Sequence, residues 1–549
     1  MHGLMMHRPL NIADILTYGA QSHPTGEIVS ARVEGDLHRQ TYVETARRTA
    51  QLAHALRAMG IETGDRVATL AWNGHRHLEL YYAVSGIGAV CHTINPRLSA
   101  EQMLYILEHA GDRVLFLDAT FAPILAKLGP QLPAGLRLVV MTDRAHMPEG
   151  LEAECYEDLL AAQSPEIDWP ELDEDAAAGL CYTSGTTGRP KGALYSHRST
   201  VLHAMIVAIS LSENLRPGRK VLPVVPLFHV NAWGLPYCAP LVGCSLVMPG
   251  PRLDGASLWE LMDAEEVYSA WGVPTVWLGL LGEIRKRGAL PRGFKDVVIG
   301  GSAAPRSMIE AFEDAGVNVC HAWGMTEMSP IGTHGNLPSA LDHLPREDRM
   351  RLKATQGRRA FGIDLKIVDE DGRRLPHDGE ASGELYVRAN TTISAYYEDA
   401  EATREAFDAE GWFGTGDIAK IDPDGFLTLT DRAKDLIKSG GEWISSIDLE
   451  NVVMSHPGVA NCAVIAVPHP KWEERPLLIV VPAEGAARPE RDELMALLEE
   501  HFAKWQLPDD VVYTDALPLT ATGKVSKLTL RQTYGDHVLP GVASEAASA

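Results

Sequence analysis

The segment Tyr182-Thr183-Ser184-Gly185-Thr186-Thr187-Gly188-Arg189-Pro190-Lys191-Gly192 concentrates what an anion-binding loop needs. Glycines let the backbone approach a phosphate, backbone N–H groups and Ser/Thr hydroxyls donate hydrogen bonds, and Lys191 adds a positive charge. The apolar run 180–182 reads as a strand and the stretch from Ser199 as a helix. The loop is therefore expected where a strand hands over to a helix, a place where phosphates bind. It is not a Walker A loop, which has the form G-x-x-x-x-G-K-[ST]. Here Lys191 follows Pro190 and precedes Gly192, so the spacing and the terminal hydroxyl both differ.

Further strings carry chemistry-bearing side chains. Trp323-Gly324-Met325-Thr326-Glu327 follows a strand-like run at 317–320, which puts Glu327 at the carboxyl end of a sheet, where ligands of α/β folds collect. A hard cation such as Mg²⁺ takes oxygen ligands, and Glu327 with the Thr183 hydroxyl would supply them. Gly300-Gly301-Ser302-Ala303-Ala304-Pro305 follows the apolar run 297–299, and its small residues leave room for a flat ring. Gly414-Thr415-Gly416-Asp417, Arg432 and Thr520-Ala521-Thr522-Gly523-Lys524 complete the set. Taken singly, each reads more readily as a turn, a helix start or a solvated surface residue.

In this order the strings resemble the signature motifs of the adenylate-forming superfamily, which includes acyl-CoA synthetases, firefly-type luciferases and the adenylation domains of peptide synthetases. The resemblance implies an α/β fold: a large N-terminal domain of helix-covered, mostly parallel sheets (1–431), a hinge (432–435), a small mobile α+β C-terminal domain (436–535) and a flexible tail (536–549). It implies an acid–thiol ligase that converts a carboxylic acid, ATP and CoA to acyl-CoA, AMP and diphosphate through an acyl-adenylate, with Mg²⁺. By the same resemblance the nucleotide is held by Thr183, Ser184, Gly185, Thr186, Thr187, Gly188 and Lys191, and around the adenine by Gly301, Ser302, Ala303, His321, Ala322, Trp323, Gly324 and Thr326. Asp417 and Arg432 match the ribose-binding positions, and Lys434 and Lys438 complete the nucleotide set. Trp323 stands where the family has tyrosine, and either ring offers a face to adenine. Lys524 matches the catalytic lysine, acting with Glu327 and Thr183. The substrate carboxylate is already nucleophilic at neutral pH but must approach an anionic α-phosphate, and a lysine spanning both groups positions them and offsets the developing charge.

Lys438-Ser439-Gly440-Gly441-Glu442-Trp443-Ile444 resembles the family segment that lines the pantetheine tunnel, which makes Gly440, Gly441, Glu442 and Trp443 CoA-binding candidates. If that segment and Lys524 serve one site in turn, the small domain has to rotate. Lys434, two residues beyond the ribose-binding arginine, matches the family's hinge. In Pro226-Leu227-Phe228-His229-Val230-Asn231-Ala232-Trp233-Gly234, amino-acid-activating relatives carry an Asp after the Phe. This chain has His229, and a buried unpaired ammonium is costly, so an α-amino acid is disfavoured. The F-H-V-N-A-W string resembles bacterial medium- and long-chain fatty acyl-CoA synthetases, so His229, Val230, Asn231 and Trp233, with Gly300, Gly301 and Pro330, are the acyl-binding candidates. Medium-chain fatty acid ligases and methylmercaptopropionate-CoA ligases share these strings with this chain. The expected substrate is a medium- to long-chain fatty acid, with 3-methylmercaptopropionate as the alternative. A non-catalytic nucleotide sensor should have lost Lys524 or Glu327, and an adenylation module for a carrier protein often brings a carrier domain.

These residues need a scaffold. At 549 residues the chain exceeds the roughly 250–300 at which single cores stop growing, so at least two domains are expected. Thr41-Tyr42-Val43-Glu44 has the form of a capping box, followed by apolar residues at helical spacing, a strand at 66–71, a helix from His77 and a strand near Cys91. This βαβ alternation is expected to continue to about residue 390. A hairpin at 418–429 and the charged stretch 431–435 then lead into a small α+β unit. No internal repeat is apparent. Asp and Glu outnumber Lys and Arg by 73 to 49, which disfavours nucleic acid as a partner. Seven cysteines without a C-x-x-C pair argue against a disulfide framework and a zinc site. With neither a signal-peptide core nor a membrane-span run, a cytoplasmic protein is expected. Resemblance to dimeric fatty acyl-CoA synthetases adds a homodimer.

Overall fold

The capping box at Thr41 forms as read. The Glu44 N–H donates to Thr41 Oγ1 (3.2 Å), the Thr41 N–H donates to the Glu44 carboxylate (2.7 Å), and helix Tyr42–Ala58 runs on from them. This computed structural model describes residues 1–183, 189–440, 442–483, 485–520 and 523–540.

Two sheets share one strand order. In the first, Glu154–Cys155, Arg137–Val140, Asp112–Leu117, Arg66–Leu70 and Val90–Thr93 lie side by side, all parallel, with Ala177–Tyr182 and the antiparallel Gly192–Ser196 beyond them. In the second, Asn318–Gly324, Asp296–Ile299, Ser269–Gly272, Lys220–Pro223 and Ser245–Met248 follow the same order, again parallel. Numbered within each run, both are doubly wound in the order 2-1-3-4-5 (read from the other edge, 5-4-3-1-2), so the fold repeats a topology that no sequence self-similarity announces. Strands such as Asp296–Ile299, buried throughout, read as continuous apolar runs because helices cover both faces.

The alternation ends earlier than the sequence reading placed it. Strands Ile363–Val368, Gly383–Ala389, Phe413–Ile421 and Leu427–Arg432 form a wholly antiparallel sheet in place of further βαβ units. Strand Phe413–Ile421 shows the cause: every second residue is buried, the mark of a sheet with one covered face. Beyond Arg432, strands Ile437–Ser439, Glu442–Ile444, Val459–His469 and Glu473–Pro482 pair antiparallel, and Asp510–Tyr513 joins parallel to the last of them. Helix Ser446–Val453 and helix Arg491–Glu499 close a separate core around Ile437, Leu449, Val464, Leu478 and Leu494.

Candidate active site

The phosphate-loop segment joins two antiparallel strands, Ala177–Tyr182 and Gly192–Ser196. This corrects the expected strand-to-helix handover, because helix His197–Ser210 begins only after the second strand. The neck of the hairpin is closed by the Thr183 N–H donating to Lys191 O (2.9 Å) and the Lys191 N–H donating to Thr183 Oγ1 (3.3 Å). Anion binding here would draw on the loop's own N–H groups, hydroxyls and Lys191 rather than on helix His197–Ser210, which strand Gly192–Ser196 separates from it. Ser184, Gly185, Thr186, Thr187 and Gly188 lie outside the described residues.

Lys191 leads to a residue that no motif signalled. Its ammonium lies 5.1 Å from the centroid of the Tyr396 ring, and the Tyr396 hydroxyl donates to Glu327 Oε1 (2.7 Å). Tyr396 thus ties the phosphate hairpin to Glu327. The paired tyrosines Tyr396-Tyr397 were the only sequence sign, and Tyr397 joins the same hairpin through its N–H to Gly192 O (2.9 Å). Glu327 sits in the turn Thr326–Met328 after strand Asn318–Gly324, with the Tyr195 hydroxyl donating to Thr326 O (2.6 Å). Burial raises the Glu327 carboxyl above its ordinary value, against the pull of Tyr396, Arg432 and Lys191. Gly324 allows the turn, since a Cβ there would lie 2.0 Å from the Pro330 carbonyl oxygen, which accepts from the Met325 N–H (3.1 Å). Glu327 carries a buried carboxylate and Thr183 a hydroxyl, oxygen donors of the kind an Mg²⁺ ion takes alongside water and a nucleotide's phosphates.

Asp417 and Arg432 face each other on adjacent strands, with Arg432 Nε donating to Asp417 Oδ1 (2.8 Å). The other oxygen, Oδ2, accepts from the Trp323 indole N–H (2.9 Å). This corrects the reading of Trp323 as an adenine-stacking face. The side chain is only 7% exposed, and a Cβ on Gly332 would lie 2.5 Å from its ring. Trp323 holds Asp417 in place. A hydrogen bond to a charged group is worth about 1.5–3 kcal/mol, so Trp323→Phe is expected to raise KM for ATP about tenfold with kcat within about twofold. An unchanged KM in steady-state kinetics would remove Trp323 from nucleotide binding. His321 also sits behind the site: its Nε2 accepts from the Ala304 N–H (3.3 Å), Nδ1–H donates to Ala354 O (3.2 Å), and burial pushes the ring down to about 4. A neutral His321 therefore braces the 300–304 loop. Within that loop Ser302 is exposed, while Gly301 and Ala303, like Ala322 on the neighbouring strand, are half-buried; Thr326 is buried in the turn before Glu327.

Lys524 enters from the C-terminal unit. Its loop is docked by the Thr275 hydroxyl donating to Gly523 O (3.0 Å), and its Cε comes within 3.5 Å of where a Cβ on Gly301 would stand. Burial and then Arg432 push the Lys524 ammonium down to about 8, while Asp417 and Glu327 act in the opposite direction. Burial, with Lys524 nearby, likewise pushes His229 down to about 3. One lysine is thus brought to Gly301, the Asp417–Arg432 pair, Glu327 and His229.

On the acyl side, a Cβ on Gly300 would lie 3.0 Å from Ala322 O and 3.1 Å from Trp233 Cη2, so the indole packs closely on this glycine. The segment read as apolar lining has an unusual backbone. Val230, Asn231, Ala232 and Trp233 have φ of 42°, 55°, 46° and 57°, followed by Gly234 at 84°. A left-handed non-glycine residue costs about 1–2 kcal/mol, so the run persists only where its surroundings over-determine it. Around it stand residues that no motif signalled. The Tyr81 hydroxyl donates to Leu227 O (2.5 Å) and Asn231 Oδ1 (3.1 Å), the Asn73 amide donates to Pro223 O (2.8 Å) and Val225 O (2.9 Å), and His203 lies 2.7 Å from a Cβ position on Gly234.

The CoA candidates are not brought to Lys524. Lys438, Gly440, Glu442 and Trp443 lie on an exposed hairpin, where Lys438 pairs with Glu473 (3.4 Å), Gly440 backs onto Trp472 and Trp443 is 47% exposed. Gly441 lies outside the described residues. Lys434 is in the exposed linker, its ammonium lowered first by burial, with Asp435, Arg432 and Arg531 as charged neighbours.

Comparison with known proteins places this arrangement. Residues 17–397 match the AMP-binding enzyme family and residues 448–524 the AMP-binding enzyme C-terminal domain. The chain is 49% identical over 544 residues to the 3-methylmercaptopropionyl-CoA ligase of Ruegeria lacuscaerulensis, covering 98% of this chain and 99% of that protein. It is 48% identical over 547 residues to the medium-chain-fatty-acid–CoA ligase of Ectopseudomonas oleovorans, covering 98% of each. The crystal structure of the anthranilate CoA ligase AuaEII in complex with anthranoyl-AMP shares the fold, with a TM-score of 0.84 at 24% identity over 96% of this chain and 98% of that one. The chain belongs to the AMP-binding enzyme family, the adenylate-forming enzymes. Its activity class is that of an AMP-forming acid–thiol ligase, an acyl-CoA ligase using ATP and CoA.

Proposed function

We propose that this ligase activates an unbranched aliphatic acid of medium to long chain length. In the first half-reaction a carboxylate oxygen attacks the α-phosphorus of ATP; the new C–O–P linkage forms as the bond to diphosphate breaks. Lys524 bridges carboxylate and α-phosphate, while Asp417, held by Arg432 and Trp323, accepts from the ribose hydroxyls. Mg²⁺, bound with the nucleotide through Glu327 and Thr183, would offset the phosphate charge. In the second half-reaction the CoA sulfur attacks the acyl carbon and AMP leaves, after the small unit has turned about Lys434 to exchange Lys524 for the 440–443 hairpin. The observation that carries this reading is the convergence of Lys524 on Gly301, Glu327 and the Asp417–Arg432 pair. The protein is read as a cytoplasmic homodimer; its buried, unpaired cysteines suit a reducing compartment, and among the described residues no helix is long and apolar enough to cross a membrane.

The acid's class follows from what surrounds His229. A neutral imidazole at His229 offers no charge for a substrate ammonium, and the apolar residues of the same segment, Val230, Ala232 and Trp233, suit an alkyl tail. The second reading is 3-methylmercaptopropionate, favoured by the 49% identity to the Ruegeria ligase. Its thioether replaces one methylene of an unbranched chain, so the same slot suits both. CoA-dependent AMP release across acetate, 3-methylmercaptopropionate, hexanoate, octanoate, palmitate and cinnamate separates them. A buried methylene is worth about 0.8 kcal/mol, so kcat/KM is expected to climb several-fold with each methylene up to a medium-chain optimum. A tenfold preference for 3-methylmercaptopropionate over hexanoate would establish the second reading. Absence of CoA-dependent AMP with every acid would sink the ligase proposal.

A further inference from the structure

Lys524 reaches the site from a segment that is anchored a second time, three residues on, at the linker itself. Strand Leu427–Arg432 ends the antiparallel sheet, and its Asp431, 2% exposed, does not face the nucleotide site. Asp431 Oδ2 accepts from both the N–H (2.7 Å) and the hydroxyl (2.6 Å) of Ser446, the first residue of helix Ser446–Val453 on the other side of the linker. The neighbouring Ser445 hydroxyl donates to Thr430 O (2.7 Å). Lys527, at the start of helix Lys527–Tyr534, donates from Nζ to Ser446 Oγ and lies 2.7 Å from Glu450 Oε1. An unbroken path, Asp431–Ser446–Lys527, therefore runs from the last strand before the linker to the segment that carries Lys524.

These contacts differ in how they relate to the linker. The Asp435–Arg531 pair (2.6 Å) and the Lys527–Glu450 pair join residues that both follow Lys434, so a rotation about Lys434 carries them along intact. Asp431 and Thr430 precede Lys434, and Ser445 and Ser446 follow it. A rotation about Lys434 shears those bonds and leaves a buried carboxylate without its two donors. They are present here in the orientation that also puts Lys524 in the site.

We propose that Asp431, with Ser446 and Lys527, is a positioning latch that holds the C-terminal unit in the adenylate-forming orientation and sets the balance between the two half-reactions. This rests on the reading in which that unit turns about Lys434 between steps. Asp431 touches no substrate; it acts through Ser446 and Lys527 on where Lys524 stands.

The test separates the half-reactions in the full-length protein. Octanoate-dependent release of diphosphate without CoA measures adenylation, and synthetic octanoyl-AMP with CoA measures thioester formation. Losing a hydrogen bond to a buried charge corresponds to about 10- to 100-fold in an equilibrium, so Asp431→Ala, which removes the acceptor of both Ser446 bonds, is expected to slow adenylation by about that factor and leave thioester formation equal or faster. Ser446→Ala, which removes only the hydroxyl relay, is expected to shift the ratio of the two rates the same way by about 3- to 10-fold, and it carries the test if Asp431→Ala does not fold. A merely structural role would lower both rates together, and a ratio unchanged in either folded variant would overturn the latch. If the wild-type protein performs neither half-reaction, the ligase proposal fails; if it performs both and the ratio does not move, only the latch fails.

Discussion

Lys524→Ala is expected to slow acyl-adenylate formation by about 100- to 1000-fold, the range seen when one positioned electrostatic donor is removed, while thioester formation from supplied acyl-adenylate stays within about threefold. The asymmetry follows from the site. Lys524 is the cation placed against Gly301 and near His229, where the carboxylate and α-phosphate must meet, whereas the CoA candidates lie on a separate exposed hairpin. The same residue sets a pH dependence. Its ammonium, lowered to about 8, is the charged form below that value and is lost as pH rises through it. In adenylation, kcat/KM for ATP reports the free enzyme, so it is expected to fall above about pH 8. Lys524→Arg keeps its charge across that range and is expected to abolish the break even if its bulkier fork lowers the rate. Equal loss of both half-reactions in Lys524→Ala would contradict the division of labour.

Glu327→Gln is expected to lower adenylation about 100-fold and to raise the Mg²⁺ concentration needed for half-maximal rate. Glutamine still accepts the Tyr396 hydrogen bond, so the turn is retained, but the negative charge facing Lys191 and Arg432 disappears. Stability should not suffer. Burial already disfavours the ionised carboxylate, so the melting temperature is expected to hold or rise slightly. A variant with normal Mg²⁺ dependence would take Glu327 out of metal binding, and one that melts much lower would make it a structural residue.

The sequence announces this site unevenly, for physical reasons. Short apolar runs ending in glycine-rich or acidic strings, such as 297–299 before Gly300 and 317–320 before Glu327, mark parallel strands and their carboxyl ends directly. The segment 182–192 reads as a strand-to-helix handover because Gly192–Ser196 is a five-residue strand at a sheet edge, too short to separate from the helix that follows. Side-chain direction is harder to read than position. Trp323 occupies the expected place, yet its indole turns inward to Asp417, a partner 94 residues away. The left-handed run 230–234 is invisible because Val, Ala and Trp have no preference for that conformation, and its contacts come from distant residues, Tyr81 and His203. Asp431, Ser446 and Lys527 are likewise ordinary residues until the fold joins them.

The most direct test of an acyl-adenylate route omits CoA. Enzyme in excess is mixed with octanoate and, in parallel, [α-³²P]ATP to follow the adenylate or [γ-³²P]ATP to follow diphosphate, quenched, and the labelled products are separated, then the experiment is repeated with CoA added as a chase. Enzyme-bound octanoyl-AMP with stoichiometric diphosphate before the chase, converted to octanoyl-CoA and AMP after it, is the result expected. Formation of ADP and phosphate, or no diphosphate until CoA is present, would contradict it.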